Sequence, residues 1–139
     1  MKNMTLENIA TACGVYHGDP AKSKQEVTNI VIDSRKIEPG GLFIATKGER
    51  VDGHSFIGQV MEKGALAVVS EQELPDADFP YILVKDSFTA LKQIAAFYRE
   101  QLSVHVVGIT GSVGKTSTKE MIAGVLSAKY HVMKTEGNF

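Results

Sequence analysis

Apolar residues recur at Leu6, Ile9, Ala10 and Cys13, the i, i+3, i+4, i+7 spacing of one helix face. Thr5 stands at the N-cap position, Gly14 where the helix must stop, and Met4 and Ile9 at the two positions of a hydrophobic staple. The pattern predicts a short amphipathic helix. Residues 16–25 are polar. Residues 27–32 are β-branched enough for a strand, which ends at Asp33-Ser34-Arg35. After a turn at Pro39-Gly40-Gly41, Leu42, Phe43, Ile44 and Ala45 predict a second short strand, and residues 46–53 a loop. Phe56, Ile57, Val60 and Met61 then give a helical face that Gly64 closes.

Residues 65–69 and 81–84 are continuous apolar runs between polar connections, which suits buried parallel strands with the sheet covered on at least one side. Phe88, Leu91, Ala95, Tyr98 and Leu102 form the longest helical stripe, opened by Asp86 or Ser87 as N-cap. A strand is expected over 104–110, a helix over 115–128 and a last strand over 131–134. The fold class is therefore α/β. Residues 1–102 close as one small domain, and 103–139 read as the opening of a doubly wound nucleotide domain, which needs further parallel strands to be covered. Such a tail is expected to show open strand edges and to pack on the first domain or self-associate with another copy.

Composition narrows the function classes. With 43% hydrophobic and 22% charged residues among 139, the chain is not disordered. Fifteen Lys and Arg against sixteen Asp and Glu leave a net charge of -1 with no basic block, which argues against nucleic acid as a partner. The single Cys13 cannot form an internal disulfide, and His17, His105 and His131 lack metal-ligand spacing. No signal-peptide pattern or membrane span of ~20 apolar residues is present, so a cytoplasmic location is expected.

The chemistry concentrates at Gly108-Ile109-Thr110-Gly111-Ser112-Val113-Gly114-Lys115-Thr116, between an expected strand and an expected helix. That context suits a phosphate cradle. Gly111 and Gly114 allow main-chain N–H groups to turn toward phosphate oxygens, and the helix start adds the positive end of its dipole. Lys115 would reach the β- and γ-phosphates and Thr116 would ligate Mg²⁺. The usual first glycine is displaced, since Ile109 holds its position. The competing reading is a strand-to-helix turn with a surface lysine.

Thr110-Gly111-Ser112-Val113-Gly114-Lys115-Thr116-Ser117, with its shifted glycine, resembles the ATP loop of the Mur ligases, the ATP-dependent amide-forming enzymes of peptidoglycan synthesis. Thr118-Lys119-Glu120-Met121, Lys134-Thr135-Glu136-Gly137-Asn138-Phe139, Asp33-Ser34-Arg35, residues 39–45 and the segment from Gly48 to Phe56 extend the likeness over nearly the whole chain. The resemblance implies a UDP-substrate domain followed by an incomplete ATP-binding P-loop domain, with Lys115 catalytic and Thr110, Gly111, Ser112, Val113, Gly114, Lys115, Thr116 and Ser117 around ATP. Ser34 and Arg35 would face the uridine diphosphate, with Gly48, Glu49, Arg50 and Val51 near the uracil. The segments around residues 118–121 and 134–139 are similar to the member that joins D-alanyl-D-alanine to UDP-N-acetylmuramoyl-tripeptide through an acyl phosphate; the members adding the third peptide residue, or a non-catalytic UDP-sugar-binding module, are the alternatives. The remaining metal ligands and purine pocket lie downstream in that family, so this stretch alone is expected to be inactive.

Two local alternatives stay open. Asp33-Ser34-Arg35 can be a turn fixed by Asp33 with Arg35 in solvent. Asp52-Gly53-His54 can be a turn and a helix start capped near Ser55, rather than a substrate contact through His54.

Overall fold

The computed structural model describes residues 1–48 and 51–136. The chain divides into two compact units, Met1–Leu102 and Ser103–Phe139.

In the first unit, α1 (Leu6–Cys13) is capped by the Thr5 hydroxyl, which accepts from the Asn8 amide at 3.2 Å. Met4 and Ile9 are both fully buried in one cluster, as the staple requires. Gly14 ends the helix through its N–H to the Ala10 carbonyl, and β1 (Val15–His17) follows directly. Neither β1 nor α2 (Pro20–Ser23) was expected in the polar stretch; α2 starts on an Asp19 cap with Pro at its first position. The expected strand over 27–32 is shorter, β2 (Ile30–Val31). The Val27 N–H is spent on the Met4 carbonyl and the Thr28 N–H on the Gly40 carbonyl, so neither joins the ladder.

The sheet continues with β3 (Leu42–Ile44), β4 (Ala67–Ser70) and β5 (Tyr81–Leu83) in the order β1-β5-β4-β3-β2. The four strands β2 to β5 run parallel, and β1 lies antiparallel on the edge of β5. Alternation across the pleat sends Leu42, Ile44, Ala67, Val69 and Ile82 to the face covered by α1 and α4 (Ser87–Glu100). Phe43, Val68 and Tyr81 point to the other face, covered by α3 (Ile57–Glu62) and by Leu74, Ala77 and Phe79 of the β4–β5 connection. Both faces are therefore dry, which explains why the central strands are apolar without alternation. Burial pushes the Cys13 thiol up to about 11, which suits a small packing residue with its Sγ donating to the Ile9 carbonyl.

Among the described residues the second unit contains one helix, α5 (Lys115–Ser127). The strands expected over 104–110 and 131–134 do not form: among the described residues these segments join no ladder. Apolar β-branched composition suits a strand, but only pairing makes one. Val104, Val106, Val107 and Met133 are correspondingly exposed.

Candidate functional site

Parallel strands place their carboxyl ends on one edge, where ligand crevices of open α/β sheets form. In the first unit that edge carries the turn after β2 with Ser34 and Arg35, the connection after β3 with Gly48 and Val51, Glu71 after β4, and the Asp86 cap of α4 after β5. Two of the segments singled out from sequence thus leave neighbouring strands on the same edge. Glu49 and Arg50, the remaining residues of that expectation, lie outside the described residues.

At the β2 turn, Asp33 Oδ1 accepts from the Arg35 main-chain N–H at 3.0 Å and from Arg35 Nε at 2.9 Å, while Nη2 donates to Oδ2 at 2.8 Å. This side-chain hydrogen bonding holds the Asp33 carboxyl well below the usual carboxylate range. The Arg35 side chain is otherwise 86% exposed, and the fork shows Asp33 only one of its edges. Ser34 is buried, and its carbonyl accepts from Lys63 Nζ at 3.0 Å, so the turn is braced by the residue that ends α3. Lys63 carries no sequence signal for this role, because the contact spans 29 positions.

The connection after β3 is closed by short-range bonds: the Gly48 N–H donates to the Val51 carbonyl at 3.0 Å, Lys47 bridges Asp52, and the Gly53 N–H reaches the Thr46 carbonyl at 2.9 Å. Here the expected cap is corrected. Asp52, not Ser55, caps the 3-10 turn Gly53–Phe56 by accepting from the His54 N–H at 2.9 Å; a carboxylate one residue before the turn reaches that amide, whereas Ser55 Oγ donates back to the Asp52 carbonyl. The hydrogen bonds from the His54 main-chain N–H and from its ring hold the Asp52 carboxyl below the usual carboxylate range. The His54 ring lies between Asp52 and the Glu71 amide, and Glu71 Oε1 accepts from the Ser87 N–H at 2.7 Å. Glu71 belongs to no motif, and Ser87 stood out in sequence only as an alternative N-cap of α4, not for this contact.

In the second unit, Gly111 has φ +149° and Gly114, the N-cap of α5, has φ +79° in the left-handed region. No side chain caps α5, in contrast to α1 and α4, where Thr5 and Asp86 do so. A helix start opened by glycine, beside a lysine, fits an anionic group such as a phosphate. Lys115 Nζ donates to the Gly111 carbonyl at 2.7 Å and so folds over the loop whose tip, Ser112 and Val113, is exposed. Thr116 and Ser117 lie in the first turn, where a hydroxyl can reach a metal ion shared with that phosphate. Behind the loop, Lys119 Nζ holds the Thr135 carbonyl at 2.6 Å, and Lys134 pairs with Glu120.

Comparison with known proteins is consistent with both units. Residues 26–99 match the family model "Mur ligase family, catalytic domain", and residues 109–139 the "Mur ligase middle domain". The chain is 43% identical to the UDP-N-acetylmuramoyl-tripeptide--D-alanyl-D-alanine ligase of Bacillus subtilis strain 168, over all of this chain and 31% of that protein. It is similar to a crystal structure of MurF from Acinetobacter baumannii, with TM-score 0.85 and 38% identity over 96% of this chain and 29% of that one. A MurF ligase from Thermotoga maritima in complex with ADP matches with TM-score 0.70 and 39% identity, over 79% of this chain and 26% of the other. The chain spans under a third of the length of each.

Proposed function

Because this chain belongs to the Mur ligase family, we propose that it contributes the substrate-holding and phosphate-holding parts of a cytoplasmic, ATP-dependent ligase that joins D-alanyl-D-alanine to UDP-N-acetylmuramoyl-tripeptide in peptidoglycan synthesis. The observation that carries this reading is the placement of Ser34, Arg35, Gly48 and Val51 at the carboxyl ends of the neighbouring parallel strands β2 and β3, in a chain that also carries the Gly111 to Thr116 loop. Arg35 offers a planar fork to the diphosphate, and the Gly48 and Val51 main chain would border the uracil together with Glu49 and Arg50.

ATP, bound with Mg²⁺, supplies the phosphoryl group that activates the peptide carboxylate as an acyl phosphate. The work of the second unit is charge neutralisation and placement. Thr110, Gly111, Ser112, Val113 and Gly114 would wrap the phosphates with main-chain N–H groups, Lys115 would exchange its Gly111 carbonyl for phosphate oxygens, and Thr116 would hold the metal with Ser117 alongside.

Separate calorimetric titrations test the reading. UDP-N-acetylmuramoyl-tripeptide is expected to bind the chain, and to bind better than the UDP-linked dipeptide that the third-residue-adding ligases extend. Absence of uptake of any UDP-linked ligand would contradict it. Uptake of the nucleotide sugar without any uptake of Mg-ATP would favour a UDP-sugar-binding module instead.

A further inference from the structure

We propose that His54 is a positioning residue for the substrate edge: as a neutral ring protonated on Nδ1, it fastens the connection after β3 to the one after β4 and thereby sets the main chain at Gly48 and Val51. The inference rests on the substrate reading above. The imidazole is nearly buried, with 8% of its side-chain surface exposed. Its Nδ1 lies 2.6 Å from Asp52 Oδ1 and its Nε2 lies 3.1 Å from the Glu71 main-chain nitrogen. A main-chain N–H can only donate, so Nε2 presents its lone pair, and the ring proton sits on Nδ1, facing a carboxylate.

The bonds on either side make this ring a connector rather than filler. Toward one side, Asp52 Oδ1 takes both the ring N–H and the His54 main-chain N–H, and the Asp52 main chain forms an isolated antiparallel β-bridge with that of Lys47 beside the Gly48–Val51 bond. Toward the other, Glu71 Oε1 accepts from the Ser87 N–H, and Ser87 Oγ donates to the Ala45 carbonyl at 2.7 Å, where β3 has just ended. The circuit therefore returns to its origin: Ala45, Ser87, Glu71, His54 and Asp52 tie the ends of β3 and β4 to the start of α4. Gly53 tightens it further, since a Cβ there would stand 2.8 Å from the Thr46 nitrogen and oxygen. The ring needs one acceptor and one donor on opposite edges, which no lysine or arginine supplies and glutamine supplies in part, through Oε1 facing the Glu71 amide.

The test has two arms. In the unaltered chain, ¹⁵N NMR of the imidazole is expected to show a protonated Nδ1 and a bare Nε2; a ring protonated on Nε2, or on both nitrogens, overturns the inference. In the second arm, His54→Leu and His54→Gln are compared by calorimetry with UDP-N-acetylmuramoyl-tripeptide and by amide shifts without ligand. His54→Leu is expected to shift the amides of Thr46, Lys47, Gly48 and Val51 and to weaken binding about tenfold or more, with His54→Gln recovering most of the affinity. Unchanged amides at those positions, or equal affinity in His54→Leu, overturns it. Should the unaltered chain bind no UDP-linked ligand, the substrate reading fails, while the tautomer and the ligand-free amide shifts still decide the role of His54. Should His54→Leu fail to fold, His54→Gln and the tautomer decide it.

Discussion

Replacing Gly14 by alanine is expected to destabilise the first unit by roughly 3 kcal/mol, the upper range for forcing an extra carbon into a packed core. Gly14 is extended, so backbone strain is not the cause. The new Cβ would stand 2.3 Å from the Leu83 carbonyl oxygen and 2.8 Å from Val84 Cγ1. Strand β5 cannot retreat, because Val15 pairs with Leu83 in the next position and β5 is held on its other side by β4. Against a total stability of about 5–15 kcal/mol for a domain, that is a large fraction, and it corresponds to a melting point lower by roughly 10–20 °C. The contrasting substitution is Gly58→Ala, on the exposed side of α3 with nothing within 4 Å of its Cβ. There alanine is expected to leave stability unchanged or raise it by about 0.5–1 kcal/mol. Differential scanning calorimetry of the two variants checks the pair, and equal melting points would contradict the close approach of α1 to β5.

The second large effect is expected at Lys115. In the proposed nucleotide site its ammonium leaves the Gly111 carbonyl, 2.7 Å away, for the β- and γ-phosphates. A hydrogen bond between charged partners is worth about 1.5–3 kcal/mol, so Lys115→Ala should weaken Mg-ATP binding by roughly 10- to 100-fold. AMP lacks the phosphates Lys115 reaches, and its affinity should be unchanged by the same substitution. An equal loss for ATP and AMP would mean that the lysine supports the loop's shape instead. The UDP-substrate affinity serves as the control for folding, since Lys115 lies in the other unit.

Local signals were the legible ones. The Thr5 cap, the Met4–Ile9 staple and the Asp86 cap all act within a few residues, and α1 and α4 formed where those residues place them. Pairing is not local: β3, β4 and β5 form in the expected apolar runs because each finds a parallel neighbour. Residues 104–110 and 131–134 have strand composition but no ladder among the described residues, while the short, partly exposed β1 forms because β5 offers an edge. The same division holds at the site. The Gly111 to Thr116 loop announces itself by spacing, and the Asp33–Arg35 turn by adjacency. Lys63 on Ser34 and His54 on Glu71 join residues 29 and 17 positions apart, and no periodicity encodes such contacts. Even a local cap went to Asp52 rather than the expected Ser55, since both residue types cap well and the main-chain path selects one.

In the proposed function the carboxyl edge of strands β2 to β4 receives a uridine-diphosphate substrate, and amide chemical-shift mapping during a titration with UDP-N-acetylmuramoyl-tripeptide reads that edge residue by residue. The perturbed amides are expected to cluster at Ser34, Arg35, Gly48, Val51 and their neighbours, while those at the opposite edge, Gly40, Gly41 and Leu66, stay in place. Perturbations centred on that opposite edge, or spread evenly over α1 and α4, would contradict it.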